Sequence, residues 1–356
     1  MRPAGDRVDE RVARHPRATR PTARGAISFR AAGEGPCVVL LHGISSQSAS
    51  WVGQLDALAA RFRVIAWDAP GYGGSDELPG DAPAAADYAA TLAAFLDALG
   101  IMRAVVVASS LGALVAAAFA ARWPARAAGL VLLNPAGGYG RAPAAERAAK
   151  LAARLERLAT LGPEGMAQAL PAGMLSESAA PEARALAAWS TAQLRPRGYT
   201  QAARMLAHAS LVDDAARYDG PVLVVGASAD TITPPAGCAA IAKAFPRGEY
   251  RLLAGPGHLS YLDAPEAVDR LVAAFAAERL AEAAAPGAPP PRYNVPGLER
   301  GLRILQLYDR THRVLSGAAM ARALGIPRTT ASGWRRRSSA SASSSARATA
   351  SASDRR

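Results

Sequence analysis

The stretch Ala108-Ser109-Ser110-Leu111-Gly112 lies between two apolar runs of different character. Before it, Val105 to Val107 is a short β-branched run that reads as a fully buried strand. After it, Leu111 to Arg122 is an Ala-rich run that reads as a helix. A strand that turns at once into a helix holds its turn residue in a strained backbone conformation, which requires small neighbours. All five junction residues except Leu111 are small. Such a turn lifts one side chain off the sheet edge and aims a helix N-terminus at whatever that side chain attacks. A serine hydroxyl so placed can attack a carbonyl carbon if a base takes its proton. The bland alternative is an ordinary junction whose serines cap the helix. Five histidines are available as the base: His15, His42, His208, His258 and His312. Only His258 sits at the end of a late strand, after Tyr250 to Leu253, in Gly255-Pro256-Gly257-His258.

The elements that must position these groups can be read from the apolar runs. Ala26–Arg30, Cys37–Leu41, Arg63–Trp67, Gly129–Leu133 and Pro221–Gly226 read as further strands. Trp51–Arg61 and Ala84–Leu99 read as helices between them. Strands and helices alternating at this spacing imply parallel βαβ units and a doubly wound sheet. Ligands of such sheets bind beyond the carboxyl ends of the strands, where Ile44 and Ser110 both fall. From Tyr139 to Val212 the strand signal vanishes, leaving helical stretches broken by Gly162-Pro163, Pro171, Pro181 and Pro196.

Taken together, these segments resemble the α/β-hydrolase family. The junction is similar to that family's nucleophile elbow, G-x-S-x-G, with Ser110 as the nucleophile and Ala108 in place of the first glycine. The resemblance implies an α/β fold: a doubly wound, mostly parallel sheet with an inserted helical cap. It implies a triad acid at Asp230, from the G-x-x-x-D-x-x-T-P layout ending at Pro234, and a catalytic His258. The order Ser110, Asp230, His258 is the family's chain order. Asp219 precedes its strand and so lies at the wrong end of the sheet. The segment His42-Gly43-Ile44 implies an oxyanion donor in the Ile44 N–H, with the Leu111 N–H as the second. The His42 side chain is read as bracing that loop. The run from Asp68 to Ser75 resembles the D-x-P-G-x-G-x-S signature, whose role is architectural, so Asp68 is given no catalytic part.

The resemblance spans residues 26–281 and implies a serine hydrolase acting through an acyl-enzyme on a small carboxylic ester or lactone. The branch it suggests is similar to the 3-oxoadipate enol-lactonases. Carbon–carbon bond hydrolysis of ring-cleavage products is the alternative within the class; against it, Leu259 stands where those relatives usually carry Trp. No metal or organic cofactor is implied, and a serine nucleophile excludes the aspartate-nucleophile branches. Met166, Met174, Leu175, Trp189 and Met205 are candidates to line an acyl pocket, against simple packing of the cap. Arg141, Arg195 and Arg197 are candidates to meet a substrate carboxylate, against the commoner role of solvated surface.

Composition bounds the rest. The chain has 356 residues, half of them apolar, enough for a large core and a small extra domain. No apolar run approaches the ~20 residues of a membrane span, and the N-terminus lacks the apolar stretch of a secretory signal. The two cysteines, Cys37 and Cys238, have no metal-ligand spacing and fit reduced core thiols of a cytoplasmic protein. The net charge of +12 is concentrated at the ends. Residues 1–30 carry eight Arg against three acids and residues 292–356 thirteen against three, while residues 31–291 carry twenty basic and twenty-three acidic residues. The body therefore has no electrostatic case for nucleic acid.

These shifts divide the chain into a disordered Arg-rich start (1–25), a first core part (26–138), a helical cap (139–212), a second core part (213–281) and an Ala/Pro linker (282–291). Residues 292–331 resemble the helix-turn-helix of the IclR-type transcription regulators, with Leu298, Leu302, Ile304 and Leu305 on the apolar face of the first helix. That resemblance stops near Thr330, and a Ser/Ala/Arg tail fills 332–356, as a neighbouring regulator gene read out of frame would produce. The remnant implies weak, salt-sensitive nucleic-acid contact by its arginines. A ligand-sensing DNA-binding regulator is the reading from another class.

Overall fold

The computed structural model describes residues 4–281. The linker, the helix-turn-helix-like segment and the tail read from the sequence lie outside the described residues. The strands are β1 (Ala18–Thr22), β2 (Gly25–Ala32), β3 (Cys37–Leu41), β4 (Arg63–Trp67), β5 (Ala104–Ser109), β6 (Ala127–Leu133), β7 (Val222–Ala227) and β8 (Gly248–Leu253). They form one sheet in the order β1-β2-β4-β3-β5-β6-β7-β8. The β1–β2 and β2–β4 pairings are antiparallel, and all later ones are parallel.

Alternate residues of the central strands feed two separate cores. Val39 and Leu41 of β3 and Val106 of β5 face one side, whereas Val38, Leu40, Val105 and Val107 face the other. Burial of both faces explains why these strands are unbroken apolar runs rather than alternating ones. On the first face pack α3 (Ala85–Ala98) and α4 (Gly112–Arg122). On the second pack α2 (Val52–Leu58) and the C-terminal helix Pro265–Ala281. Helix α4 is buried from Gly112 through Ala120. Its alanines let the helix lie close to the sheet with little side-chain entropy lost on burial.

Residues 4–25, part of the start expected to be disordered, depart from that reading. Ala4–Ala13 form helix α1, and β1 pairs along the edge of the sheet with β2. The helix buries Val8 and Val12, four residues apart, against Val52 and Leu186. Strand β1 leaves nearly all its side chains exposed and is held by backbone pairing, so it carries no apolar alternation. Pro21 is tolerated there because an edge strand need not donate on its outer side.

Between β6 and β7 lie five helices: α5 (Ala144–Ala169), α6 (Pro171–Met174), α7 (Pro181–Ala192), α8 (Pro196–His208) and α9 (Leu211–Ala215). Helix α5 breaks at Gly162, whose φ is 60°, just ahead of Pro163. The remaining helices are α10 (Pro235–Ala244), α11 (Ser260–Asp263) and α12, the C-terminal helix already described. No helix of the described residues is long and apolar enough to cross a membrane.

Candidate active site

The junction between β5 and α4 is strained at one residue. Ser110 has a φ of 51°, a left-handed value that β-carbon crowding disfavours outside glycine. The strain is over-determined by its surroundings: the Ser110 N–H donates to Leu133 O at 3.0 Å, and its carbonyl accepts from Ala113 and Ala136. Gly112 is required because a β-carbon there would stand 2.7 Å from Leu41 O and 2.9 Å from His42 O. Gly43 is nearly as tight, with Ser110 Cβ 3.2 Å from where its own would be. The loop after β3 is thus pressed against the turn after β5. Ser109 is fully buried, whereas Ser110 keeps 8% of its surface and faces a cavity. Burial and backbone conformation together separate the two adjacent hydroxyls.

Asp230 lies in the loop after β7 and His258 in the loop after β8. His258 Nδ1 donates to Asp230 Oδ2 at 2.9 Å. The same oxygen accepts from Asn134 Nδ2 (2.8 Å) and Thr233 Oγ1 (2.7 Å). Oδ1 accepts from the Ile232 and Thr233 N–H groups at 2.8 and 3.0 Å. Burial by itself would raise the Asp230 carboxyl. The hydrogen bond and charge of His258, with the Thr233 hydroxyl and amide, outweigh it and hold the group down at about 2. Asp230 is therefore an anion whose lone pairs are fully engaged, and His258 is fixed with its Nδ1 toward it.

Asn134 ties this cluster to the sheet, and the sequence reading gave it no role. It ends β6 with a φ of 48°, its N–H donates to Val225 O, and its side-chain oxygen accepts from Ser260 Oγ at 2.6 Å. Its amide NH2 is left for Asp230. Thr233, which also reaches Asn134 O at 3.1 Å, was likewise given no role. The available signal was the Asn134-Pro135 pair at a strand end, since Asn is the non-glycine residue best suited to a left-handed turn.

Ser110, His258 and Ile44 line one cavity of about 860 Å³ between the sheet edge and α5. Among the described residues Ser110 Oγ and His258 share no hydrogen bond; a contact of this kind tightens as substrate binds. Ile44 is held by Tyr72, whose hydroxyl donates to Ile44 O at 2.9 Å. Leu111 opens α4, where backbone N–H groups have no partner one turn earlier. Asp68 is fully buried and accepts from the Ser48 N–H and the Ser28 hydroxyl while pairing with Arg17. His42 donates from Nδ1 to Gly43 O and accepts at Nε2 from the Ala69 N–H. Both side chains brace loops.

In the helical segment most of the candidates follow the commoner roles of surface and packing. Arg195 and Arg197 pair with Glu77, and Arg141 with Asp213, so none of the three lines the cavity. Of the acyl-pocket candidates, only Met174 lines it. Met166 and Met205 are buried in the core, Leu175 in the opposite one, and Trp189 donates to Asp9. Lys150, Arg154 and Arg157 of α5 line the cavity instead.

A family model described as the alpha/beta hydrolase fold matches residues 36–265. An uncharacterized protein of Mycobacterium tuberculosis is 42% identical over 110 residues, covering 31% of this chain and 32% of that relative. A 2-hydroxy-6-oxo-6-phenylhexa-2,4-dienoate hydrolase of Comamonas testosteroni is 34% identical over 115 residues, 31% of this chain and 40% of that one. The chain thus matches only about a third to two fifths of these relatives' own length. Among solved structures, a thermophilic esterase from Thermogutta terrifontis superimposes with a TM-score of 0.67 at 26% identity, covering 74% of this chain and 99% of that one.

Proposed function

This chain belongs to the alpha/beta hydrolase fold family, and we propose that it cleaves small carboxylic esters or lactones through a serine acyl-enzyme. The observation that carries this reading is a single one: His258, fixed by Asp230 through Nδ1, faces the same cavity as the strained Ser110. Ser110 Oγ bonds to the substrate carbonyl carbon as its proton passes to His258 Nε2. The tetrahedral oxyanion is held by the Ile44 and Leu111 N–H groups, each worth roughly 2.7–4 kcal/mol in comparable sites. Collapse breaks the carbon–oxygen bond, and His258 returns the proton to the leaving alkoxide, which departs as alcohol or stays tethered if a lactone opened. Water then attacks the acyl carbon, giving its proton to His258 and releasing the acid and the Ser110 hydroxyl. Asp230 holds the imidazole tautomer and stabilises the imidazolium.

The test is hydrolysis of a short-chain nitrophenyl ester by the full chain beside Ser110→Ala, with a fluorophosphonate label read by mass spectrometry. Turnover that is lost in Ser110→Ala, with the label on Ser110, is the expected result. An active Ser110→Ala protein, or a chain that neither turns over nor labels, overturns the reading.

Carbon–carbon bond hydrolysis of a ring-cleavage product is a second reading, favoured by the 34% identity to the phenylhexadienoate hydrolase. It needs the same three side chains, and Leu259 after the histidine weighs against it. Loss of the visible absorbance of a dienoate substrate would support it.

A further inference from the structure

The cavity that Ser110 lines also carries a charge, on α5, that the reaction itself does not use. Lys150, Arg154 and Arg157 are spaced at i, i+4 and i+7 along α5, so they share one helix face. No Asp or Glu is among the residues lining this cavity. Among the described residues none of the three is paired with a carboxylate, although Arg141, Arg195 and Arg197 of the same helical segment all are. The contrast gains weight from the background: residues 31–291 hold more acids than bases, twenty-three against twenty. Unpaired cations on this wall are therefore not a by-product of a basic body.

Arg154 is the most heavily contacted of the three. It is half-buried, its guanidinium lies 5.2 Å from the centre of the Tyr139 ring, and Nη2 donates to the Tyr139 hydroxyl at 3.2 Å. Nη1 donates to Lys150 O at 2.9 Å. A guanidinium held over an aromatic face has lost much of its freedom before any ligand arrives, and its planar fork suits a two-oxygen anion. Lys150 and Arg157 are exposed and add positive potential around it. Much of the remaining wall is apolar, including Leu170, Leu206 and Ile232, with Ser45, Ser110, Thr233 and His258 among its polar groups.

We propose that this row recognises an anionic group at the end of the substrate remote from the bond that is cleaved. The substrate class is then an ester or lactone with a short apolar body ending in a carboxylate or a phosphate-like group. This rests on the hydrolase reading above and adds the specificity of the same cavity. Anchoring the far end is also how binding energy at a remote group orients a carbonyl for attack.

The experiment uses the full chain and three nitrophenyl esters of equal length, ending in a methyl, a carboxylate or a phosphonate. The expected kcat/KM for one of the anionic esters exceeds that of the neutral ester by about tenfold, or about 1.4 kcal/mol. Whichever anion is preferred identifies the source. In Arg154→Gln this ratio collapses toward one, and in the wild type it falls with added salt, because exposed charges are screened within ~3 Å at molar ionic strength. Equal rates, a preference for the neutral ester, or a ratio untouched by Arg154→Gln overturns the proposal. Calorimetric binding of adipate, with its dimethyl ester as control, reads the anion site without turnover. Adipate binding that weakens in Arg154→Gln supports the site even if no ester is cleaved, in which case only the hydrolase reading falls. No adipate binding together with no charge preference removes the site while leaving ester cleavage intact.

Discussion

Two loops at the carboxyl edge of the sheet each hold a buried histidine close to a buried aspartate, and they are built for opposite ends. After β3, His42 uses both ring nitrogens: Nδ1 donates to Gly43 O, and Nε2 accepts from the Ala69 N–H. After β8, His258 uses only Nδ1, on Asp230, and turns the rest of the ring to the cavity. Asp68 spends its oxygens on Ser28, Ser48 and Arg17, tying β2, the loop after β3 and the N-terminal segment together. Asp230 spends one of its contacts on the histidine itself. The difference teaches that burial and residue type alone do not separate the pair proposed for catalysis from one that braces loops. What sets the proposed pair apart is a ring nitrogen left unspent and a cavity beside it.

The comparison can be broken most sharply by exchanging which histidine is lost. His258→Ala should lower kcat/KM for a nitrophenyl ester by about 10³-fold or more while leaving the thermal midpoint within a few degrees. His42→Ala should do the reverse, and an equal loss of turnover in both variants would erase the distinction. Asp230→Asn should cost about 10³- to 10⁴-fold in kcat with the fold intact, because the amide can hold the wrong tautomer.

Acid titration separates the pairs next. Asp230 is held at about 2 against an ordinary 3.8, so between those values the unfolded chain takes up a proton that the native carboxylate refuses. Its contribution is complete above pH 3.8 and is lost as pH falls through about 2, amounting to about 2 kcal/mol. Urea unfolding across this range should show the slope in wild type and lose it in Asp230→Asn. For His42, burial pushes the imidazole below its ordinary 6.5, outweighing the Gly43 carbonyl and the charge of Asp68, which favour the cation. Here too the unfolded chain binds the extra proton, so stability is full above 6.5 and falls as pH drops below it. Physically, Nε2 cannot gain a proton without facing the Ala69 N–H donor-to-donor.

His42→Ala should remove that near-neutral slope and destabilise the chain by about 1–3 kcal/mol, the cost of orphaning buried backbone partners. The smallest effect expected is at Thr233, whose hydroxyl donates to Asp230. Thr233→Val should lower kcat/KM by about five- to tenfold, the worth of roughly 1 kcal/mol. The acid limb of the stability profile should move upward with it. An unchanged limb would mean that the remaining donors to Asp230 suffice.

Much of this architecture was legible in the chain alone, because strands buried on both faces are bound to be continuous β-branched runs. The turn at Ser110 was legible for a local reason as well: small residues crowd where a strand turns directly into a helix. The N-terminal helix and edge strand were not, since β1 is held by backbone pairing with β2 and leaves no side-chain pattern. Nor could local sequence choose among the arginines. Arg141, Arg195 and Arg197 are each met by an acid, Glu77 or Asp213, that lies distant in the chain, whereas Arg154 is not. Asn134 was hidden for the same reason, as its partner Asp230 is brought beside it by the β6–β7 pairing; Thr233 is three residues from Asp230, and only the folded loop turns its hydroxyl onto that carboxylate. Sequence by itself determined the alternating elements, the two-faced sheet and the strained turn, because each depends on neighbours a few residues away. Tertiary structure alone decided which polar groups are already spent on one another and which still face the cavity, because hydrogen bonds and ion pairs are settled by proximity in space.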